Sequence, residues 1–257
     1  MPEFCSVEKD GHLFIVTIER PERMNALHPP ANVELGEVFD DFAADLHAWV
    51  AIITGRGDRA FSAGNDLRYQ AEGGKRVPMP RGFGGLTSRF DLTKPVIAAV
   101  NGVAMGGGFE IALACDLIVA SENAVFALPE PKVGLAALAG GLHRLPRQIG
   151  TKRALGMILT GRRVPAREGV ALGFVNEVVA PGDLMTAARR WAADISECAP
   201  LSIRASKEVV YKGLGHASLE AAMAATYDSV RAMAQGEDFI EGPKAFAEKR
   251  PPRWKGR

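Results

Sequence analysis

A chain of 257 residues has room for one large domain or two small ones around a sizeable core. Its 47% hydrophobic and 24% charged content is that of an ordinary globular protein and excludes a disordered chain. Lysine plus arginine number 31 against 30 acidic residues, a net charge of +1, without the basic excess that marks a nucleic-acid binder. Three separated cysteines, Cys5, Cys115 and Cys198, make neither a disulfide framework nor a metal-binding CxxC, so a reducing, cytoplasmic setting is expected. Residues 1–10 carry no basic segment followed by an apolar run, so no secretory signal is expected. The most membrane-like stretch, residues 95–115, is interrupted by Glu110 and a glycine cluster and reads as buried structure, with no membrane partner.

In chain order, residues 13–18 (LFIVTI) are β-branched and aromatic and predict a half-buried strand. Residues 29–48 repeat Val33, Leu35, Val38, Phe39, Phe42 and Leu46 near helical period. Apolar runs at 49–54, 96–100 and 116–120 suit buried strands, with a short helix over 107–115 between the last two. Residues 72–85 hold five glycines and two prolines and predict a mobile surface segment, of the irregular kind that often serves function. Beyond about Pro181 strand signals stop. Helices are expected over 183–198, 201–212, 218–234 and 241–248, with Asp183 and Ser218 as N-caps and Gly213 and Gly236 as stops. Strands alternating with helices, then a helical end, define an α/β protein.

Several common chemistries are absent from the pattern. Residues 55–60 (GRGDRA) match G-x-G-x-x-A after a strand, but no helix follows directly and no acidic strand end lies about 20 residues on, so a charged turn is the better reading. There is no GxxxxGK[ST] loop, no GxSxG elbow and no HExxH; the five histidines are scattered. No metal or redox cofactor is expected.

Three segments stand out. Residues 60–67 (AFSAGNDL) and 101–110 (NGVAMGGGFE) each leave a strand and enter a helix through small residues. Glycines let backbone approach a ligand, and a helix start leaves free N–H groups at a positive dipole end. Spacing alone leaves two readings open: both are packing turns, or together they aim one N–H each at a single carbonyl oxygen, as in an oxyanion hole. In residues 126–131 (FALPEP), Glu130 stands between two prolines that stiffen the backbone, and is either exposed or presented to a site. Glu110 lies one turn into an otherwise apolar helix, where a carboxylate reaches a polar pocket or costs several kcal/mol. Two such glutamates in one pocket could share proton transfers with water.

These segments, in this order, resemble the enoyl-CoA hydratase/isomerase (crotonase) family. The resemblance runs through IxRPExxNAL (18–27), AFSAGNDL, the run from Lys94 to Ser121, FALPEPKVGL (126–135), GGLHRLPRQIG (140–150), residues 159–179 and GPKAFAEKRPPRWKG (242–256). It implies a crotonase-like spiral of ββα turns over residues 1–195, carrying an acyl-CoA site. A helical C-terminal region, 196–257, would mediate assembly into a homotrimer or a hexamer built as a dimer of trimers. Coenzyme A would enter only as part of the substrate.

On this resemblance the backbone N–H groups of Asn65 and Gly107 would hold the thioester carbonyl of an acyl-CoA, and Glu110 and Glu130 would be the two catalytic acids. Arg23, Met24, Ala26, Ala63, Asp66, Leu67 and Gly106 fall where the family holds the CoA moiety and the thioester, and Lys249 where the tail approaches a CoA phosphate. Retention of both glutamates favours reversible syn hydration of a 2-enoyl-CoA. The alternatives are an isomerase, a dehydratase of a special 3-hydroxyacyl-CoA of the carnitinyl-CoA kind, and a non-catalytic acyl-CoA scaffold. One departure stands at Leu138, where many hydratases carry glycine in a GxxPGxGGT pattern.

Overall fold

The computed structural model describes residues 2–75 and 77–257; Met1, and Arg76 inside the glycine- and proline-rich segment, lie outside the described residues. The first strand, β1 (Cys5–Asp10), pairs antiparallel with β2 (Leu13–Ile18) across a turn at Gly11. Helix α1 (Pro29–Ala44) follows, then β3 (Val50–Gly55), β4 (Ala60–Ser62) and α2 (Leu67–Ala71). The same order recurs as β5 (Val96–Val100), β6 (Val103–Met105) and α3 (Gly107–Ala114). It recurs again as β7 (Leu117–Ser121), β8 (Val125–Ala127), a 3-10 turn at Glu130–Val133 and α4 (Gly141–Ile149). After α5 (Thr151–Thr160), β9 (Val164–Pro165), α6 (Ala166–Leu172) and β10 (Glu177–Val179), the chain is helical: α7 (Leu184–Ser196), α8 (Pro200–Gly213), α9 (Leu219–Ala224), α10 (Asp228–Gln235) and α11 (Asp238–Ala247).

Each repeat sends its first strand to one sheet and its second to another. The large sheet has the order β1-β2-β3-β5-β7-β10 and the small one β4-β6-β8-β9. This is the expected spiral of ββα turns. From β2 to β10 the large sheet is parallel, and β3 and β5 are buried along their whole length, as strands covered on both faces must be. One face packs Phe14, Val16 and Ile53 with Phe39 and Phe42 of α1 and with Phe61, Phe109 and Phe126. The other places Ile15, Ile52, Ile97 and Val119 against Leu184, Ala187, Ala188 and Ala192 of α7. Period-two alternation along the strands sorts residues between the two layers.

The structure differs from the sequence-based expectation in five places. Helix α1 ends at Ala44, with Asp45 as its C-cap, so Leu46 lies beyond it and is exposed. Strand β1 was not anticipated, because Glu8, Lys9 and Asp10 face outward and dilute its apolar pattern. Residues 141–172 form three short helices, with Pro146 and Gly150 interrupting the helical period. The single helix expected over 218–234 is two, because Glu208 of α8 accepts the Ser229 N–H at 2.7 Å and caps a separate α10. The segment expected at the surface, 72–85, is not exposed throughout: Phe83, Gly84 and Gly85 are buried, as are Leu86 and Thr87 just beyond it, against α1 and α3. Of the expected caps, Ser218 accepts the Ala221 N–H at 3.1 Å, whereas Asp183 makes no side-chain cap bond.

The loop after β2 is held by one buried amide. Asn25 accepts the Arg20 N–H at 3.0 Å and donates to the carbonyls of Ala60 at 2.7 Å and Arg56 at 3.1 Å. Its φ of 53° is a left-handed conformation that asparagine tolerates better than most residues. Asn25→Ala should therefore lower unfolding free energy by about 2–4 kcal/mol, measured by urea denaturation, since it leaves buried backbone groups unpaired at a strained φ.

Candidate active site

Three adjacent parallel strands of the small sheet bring the three distinctive segments together. Ser62 of β4 stands beside Ala104 of β6, and Met105 beside Ala127 of β8. Neighbouring strands lie about 4.8 Å apart, so whatever leaves their C-terminal ends leaves side by side. Those exits are residues 63–66, 106–107 and 128–130.

The first two turns are in contact. Gly64 has φ 87°, and a Cβ there would lie 2.9 Å from the Gly107 nitrogen and 2.6 Å from the Met105 carbonyl. Residues 24–27 flank the first turn: Ala63 N–H donates to Met24 O, Leu27 N–H to Gly64 O, and Asp66 N–H to Leu27 O. Gly64 N–H is taken by the Ser62 hydroxyl at 3.1 Å. Within residues 63–66 the Asn65 N–H alone has no acceptor among the described residues, and the Gly107 N–H at the start of α3 has none either. The ring of Phe83 covers Gly107 where a side chain would otherwise project.

Both glutamates border this contact. Glu110, one turn into α3, is 3% exposed, and its Oε1 accepts the Gly141 N–H at the start of α4 at 2.8 Å. Burial pushes its pKa from 4.5 up to about 7; the Gly141 amide opposes this, and the charge of Glu130 adds to it. Glu130 opens the 3-10 turn after β8, and its Oε1 lies 2.7 Å from where a Gly106 Cβ would stand. Burial raises its pKa too, and its Oε2 is buried with no partner among the described residues. An exposed Glu130 is thus ruled out. Two acids with raised pKa values beside free amide donors form an arrangement suited to proton transfer next to a polarised carbonyl.

The other anticipated residues are placed as follows. Arg23 is exposed, while Met24, with φ 54°, and Ala63 are half-buried, and Ala26 is buried. Asp66 is buried, caps α2 through the Tyr69 N–H and pairs with Arg20 at 3.1 Å, so its side chain is committed within the fold. The Asn65 side chain turns to Gln70. Leu67 is partly exposed, and Leu138, in the loop before α4, is 80% exposed. Lys249 lies just beyond α11 on the surface; its backbone N–H donates to the Phe246 carbonyl at 3.2 Å, and its ammonium has no hydrogen-bond or ion-pair partner among the described residues.

Sequence reasoning missed Asn25 and Arg20, which brace residues 24–27, and also Phe83, Thr87 and Arg144. The first pair sat inside a quoted motif. Phe83 lay in the stretch expected at the surface and Thr87 just beyond it, and Arg144 stood inside the quoted GGLHRLPRQIG without a reading of its own.

The enoyl-CoA hydratase/isomerase family model matches residues 8–257. Carnitinyl-CoA dehydratase of Salmonella typhi is 45% identical over 268 aligned residues, spanning all of both chains. Among solved structures, an enoyl-CoA hydratase of Mycobacterium tuberculosis H37Rv superposes with a TM-score of 0.93 at 39% identity over 99% of each chain. One from Bacillus anthracis does so at 0.92 and 34%, over 99% of this chain and 100% of that one. The chain belongs to the enoyl-CoA hydratase/isomerase family.

The raised Glu110 pKa has a stability consequence. Below about pH 4.5 the carboxyl is protonated whether folded or not, and no penalty arises. Between 4.5 and about 7 the unfolded chain releases a proton that the folded chain keeps, so the stability linked to this group is lost as pH rises. Glu110→Gln should therefore gain stability relative to the parent from pH 4.5 to 8, by at most about 3 kcal/mol, in denaturation series across that range.

Proposed function

We propose that this protein is a hydro-lyase acting on CoA thioesters, catalysing reversible syn addition of water to a 2-enoyl-CoA. The observation that carries the reading is the convergence of buried Glu110 and half-buried Glu130, both with raised pKa values, on two turns in contact where the Asn65 and Gly107 amides are free among the described residues. The N–H groups of Asn65 and Gly107 hold the thioester oxygen and stabilise the enolate that forms when oxygen adds at Cβ. One carboxylate takes a proton from the attacking water, its OH joins Cβ, and a proton is delivered to Cα; one water is consumed and the acids return to their starting state. Glu110 and Glu130 act as a coupled pair, so the two steps are assigned to the pair.

Arg23, Met24, Ala26, Ala63, Leu67 and the backbone of Asp66 line the approach of the CoA moiety beside Gly106, Lys249 meets a CoA phosphate, and Leu138 borders the acyl chain. The reaction uses side chains and backbone amides with no separate cofactor. A second reading, dehydration of a 3-hydroxyacyl-CoA of the carnitinyl-CoA kind, is favoured by the 45% identity to carnitinyl-CoA dehydratase over the full chain.

The test is turnover of crotonyl-CoA, longer and branched 2-enoyl-CoAs and carnitinyl-CoA, followed by the absorbance of the conjugated thioester. Glu110→Gln and Glu130→Gln should each lower kcat roughly 100-fold or more while CoA-ester binding survives. Turnover of carnitinyl-CoA alone would select the second reading. Movement of a 3-enoyl double bond without water uptake would replace both with an isomerase, and tight binding with no turnover on any member would leave a scaffold.

The C-terminal helices expose Leu214, Leu219, Met223 and Phe246, each more than three-quarters accessible in the single chain. This apolar surface supports assembly into homotrimers or dimers of trimers. Light scattering after gel filtration should give three or six times the chain mass, and a monomer would refute that assembly.

A further inference from the structure

The contacts around the site close into a ring. Gly107 and Glu110 are one turn apart on α3. Glu110 Oε1 accepts the Gly141 N–H of α4. On the next turn of α4, Arg144 sends Nη2 to the Thr87 carbonyl at 2.9 Å and lies over the Phe90 ring, 5.7 Å from its centre. The Thr87 hydroxyl accepts the Phe83 N–H at 2.8 Å, and the Phe83 ring returns to cover Gly107. Gly140 leaves room for this path: with φ 110° it has no Cβ to strike the Arg144 guanidinium.

We infer that Arg144 is a positioning residue, a latch that ties residues 82–90 to the start of α4 and so holds the Gly107 amide and the Glu110 carboxylate in register. The inference rests on the hydro-lyase reading for its consequence in turnover, though the latch itself is a statement about structure.

Arg144 is the element of the ring with no interchangeable partner. Helix α4 begins without a side-chain cap, and its first amide is the one spent on Glu110. Residues 82–90 meet α3 where Phe83 lies against Gly107 and Gly84 against Ile111, apolar contacts that do not fix direction as a hydrogen bond does. A planar guanidinium can donate to a carbonyl while its face lies on an aromatic ring, which an ammonium does less well. The charged and titratable groups facing Glu110 are Glu130 from the turn after β8 and Arg144 from α4; those facing Arg144 are Tyr211 of α8, Cys115 after α3, and Glu110. Arg144 thus also supplies a positive charge that favours the Glu110 carboxylate.

Arg144→Gln, Arg144→Lys and Thr87→Val in the full-length protein separate the parts. Arg144→Gln should lower kcat roughly 10–100-fold, with KM changed far less, and speed hydrogen exchange across residues 82–90. The limb of the pH–rate profile that reports the acid pair should move to higher pH, because the cation facing Glu110 is gone. Arg144→Lys should restore the limb and part of kcat. Thr87→Val, which unties Phe83 and leaves the charge in place, should lower kcat with the limb unmoved, and it tests the ring even if Arg144→Gln does not fold. Parent-like kcat and exchange in Arg144→Gln, or parent-like kcat in Thr87→Val, would overturn the latch. So would a loss in Arg144→Gln with an unmoved limb and no recovery in the lysine variant. Should the parent turn over no thioester at all, the exchange measurement still decides on the latch, and only the hydro-lyase reading falls.

Discussion

The constraint on which the rest of this molecule depends is the parallel hydrogen-bond register of three short strands, β4, β6 and β8. Each has three residues, and each passes at its C-terminal end into a turn. Because parallel neighbours run in the same direction at a fixed spacing, three chain positions far apart in sequence are delivered to one place. The large sheet supplies the rigidity. Its buried β3, β5 and β7 precede β4, β6 and β8 in turn, so a shift in the small sheet would have to drag strands packed on both faces. The site therefore inherits its precision from a core that has no part in the chemistry.

Close approach of backbone is the second requirement. At Gly64 and Gly106 the chain turns through positive φ, and at both a methyl group would intrude on a neighbouring turn or on the Glu130 carboxylate. Glycine there serves position as well as flexibility: it lets one turn rest against the next while the following amides, of Asn65 and Gly107, stay free among the described residues. The neighbouring loop, braced by Asn25 and the buried Arg20–Asp66 pair, keeps the other donors of residues 63–66 occupied. A free N–H at Asn65 is meaningful because those around it are not free.

Electrostatics follow from the same packing. Glu110 is forced into a helix whose other buried residues are apolar or glycine, and burial holds its proton to near neutrality, with Glu130 adding to the effect and the Gly141 amide moderating it. The positive charge of Arg144 favours the Glu110 carboxylate and so opposes the effect of burial. Farther away, Lys207 of α8 bridges Asp116 at 2.7 Å and the Lys94 carbonyl at 2.8 Å, tying the C-terminal helices to the ends of β5 and β7. The helical end is thereby anchored to the spiral even as its apolar faces remain open.

Much of this was legible in the amino-acid order alone. Apolar runs marked β2, β3, β5 and β7, the glycine turns marked where strands pass into helices, and a lone Glu110 in an apolar helix announced a polar environment around it. Other features were hidden for physical reasons. The charged outer face of β1 masked a strand, a glutamate from α8 split one predicted helix into two, and glycine and proline content disguised Phe83 as surface. By itself the sequence determined the alternating α/β order, the small-residue turns and the two candidate acids, since these follow from local periodicity and composition. Only the tertiary structure decided that Gly64 rests on Gly107, that a half-buried Glu130 stands beside Gly106, and that Arg144 reaches Thr87. Such adjacency depends on which strands pair and in what register, and no local pattern in a chain encodes that pairing.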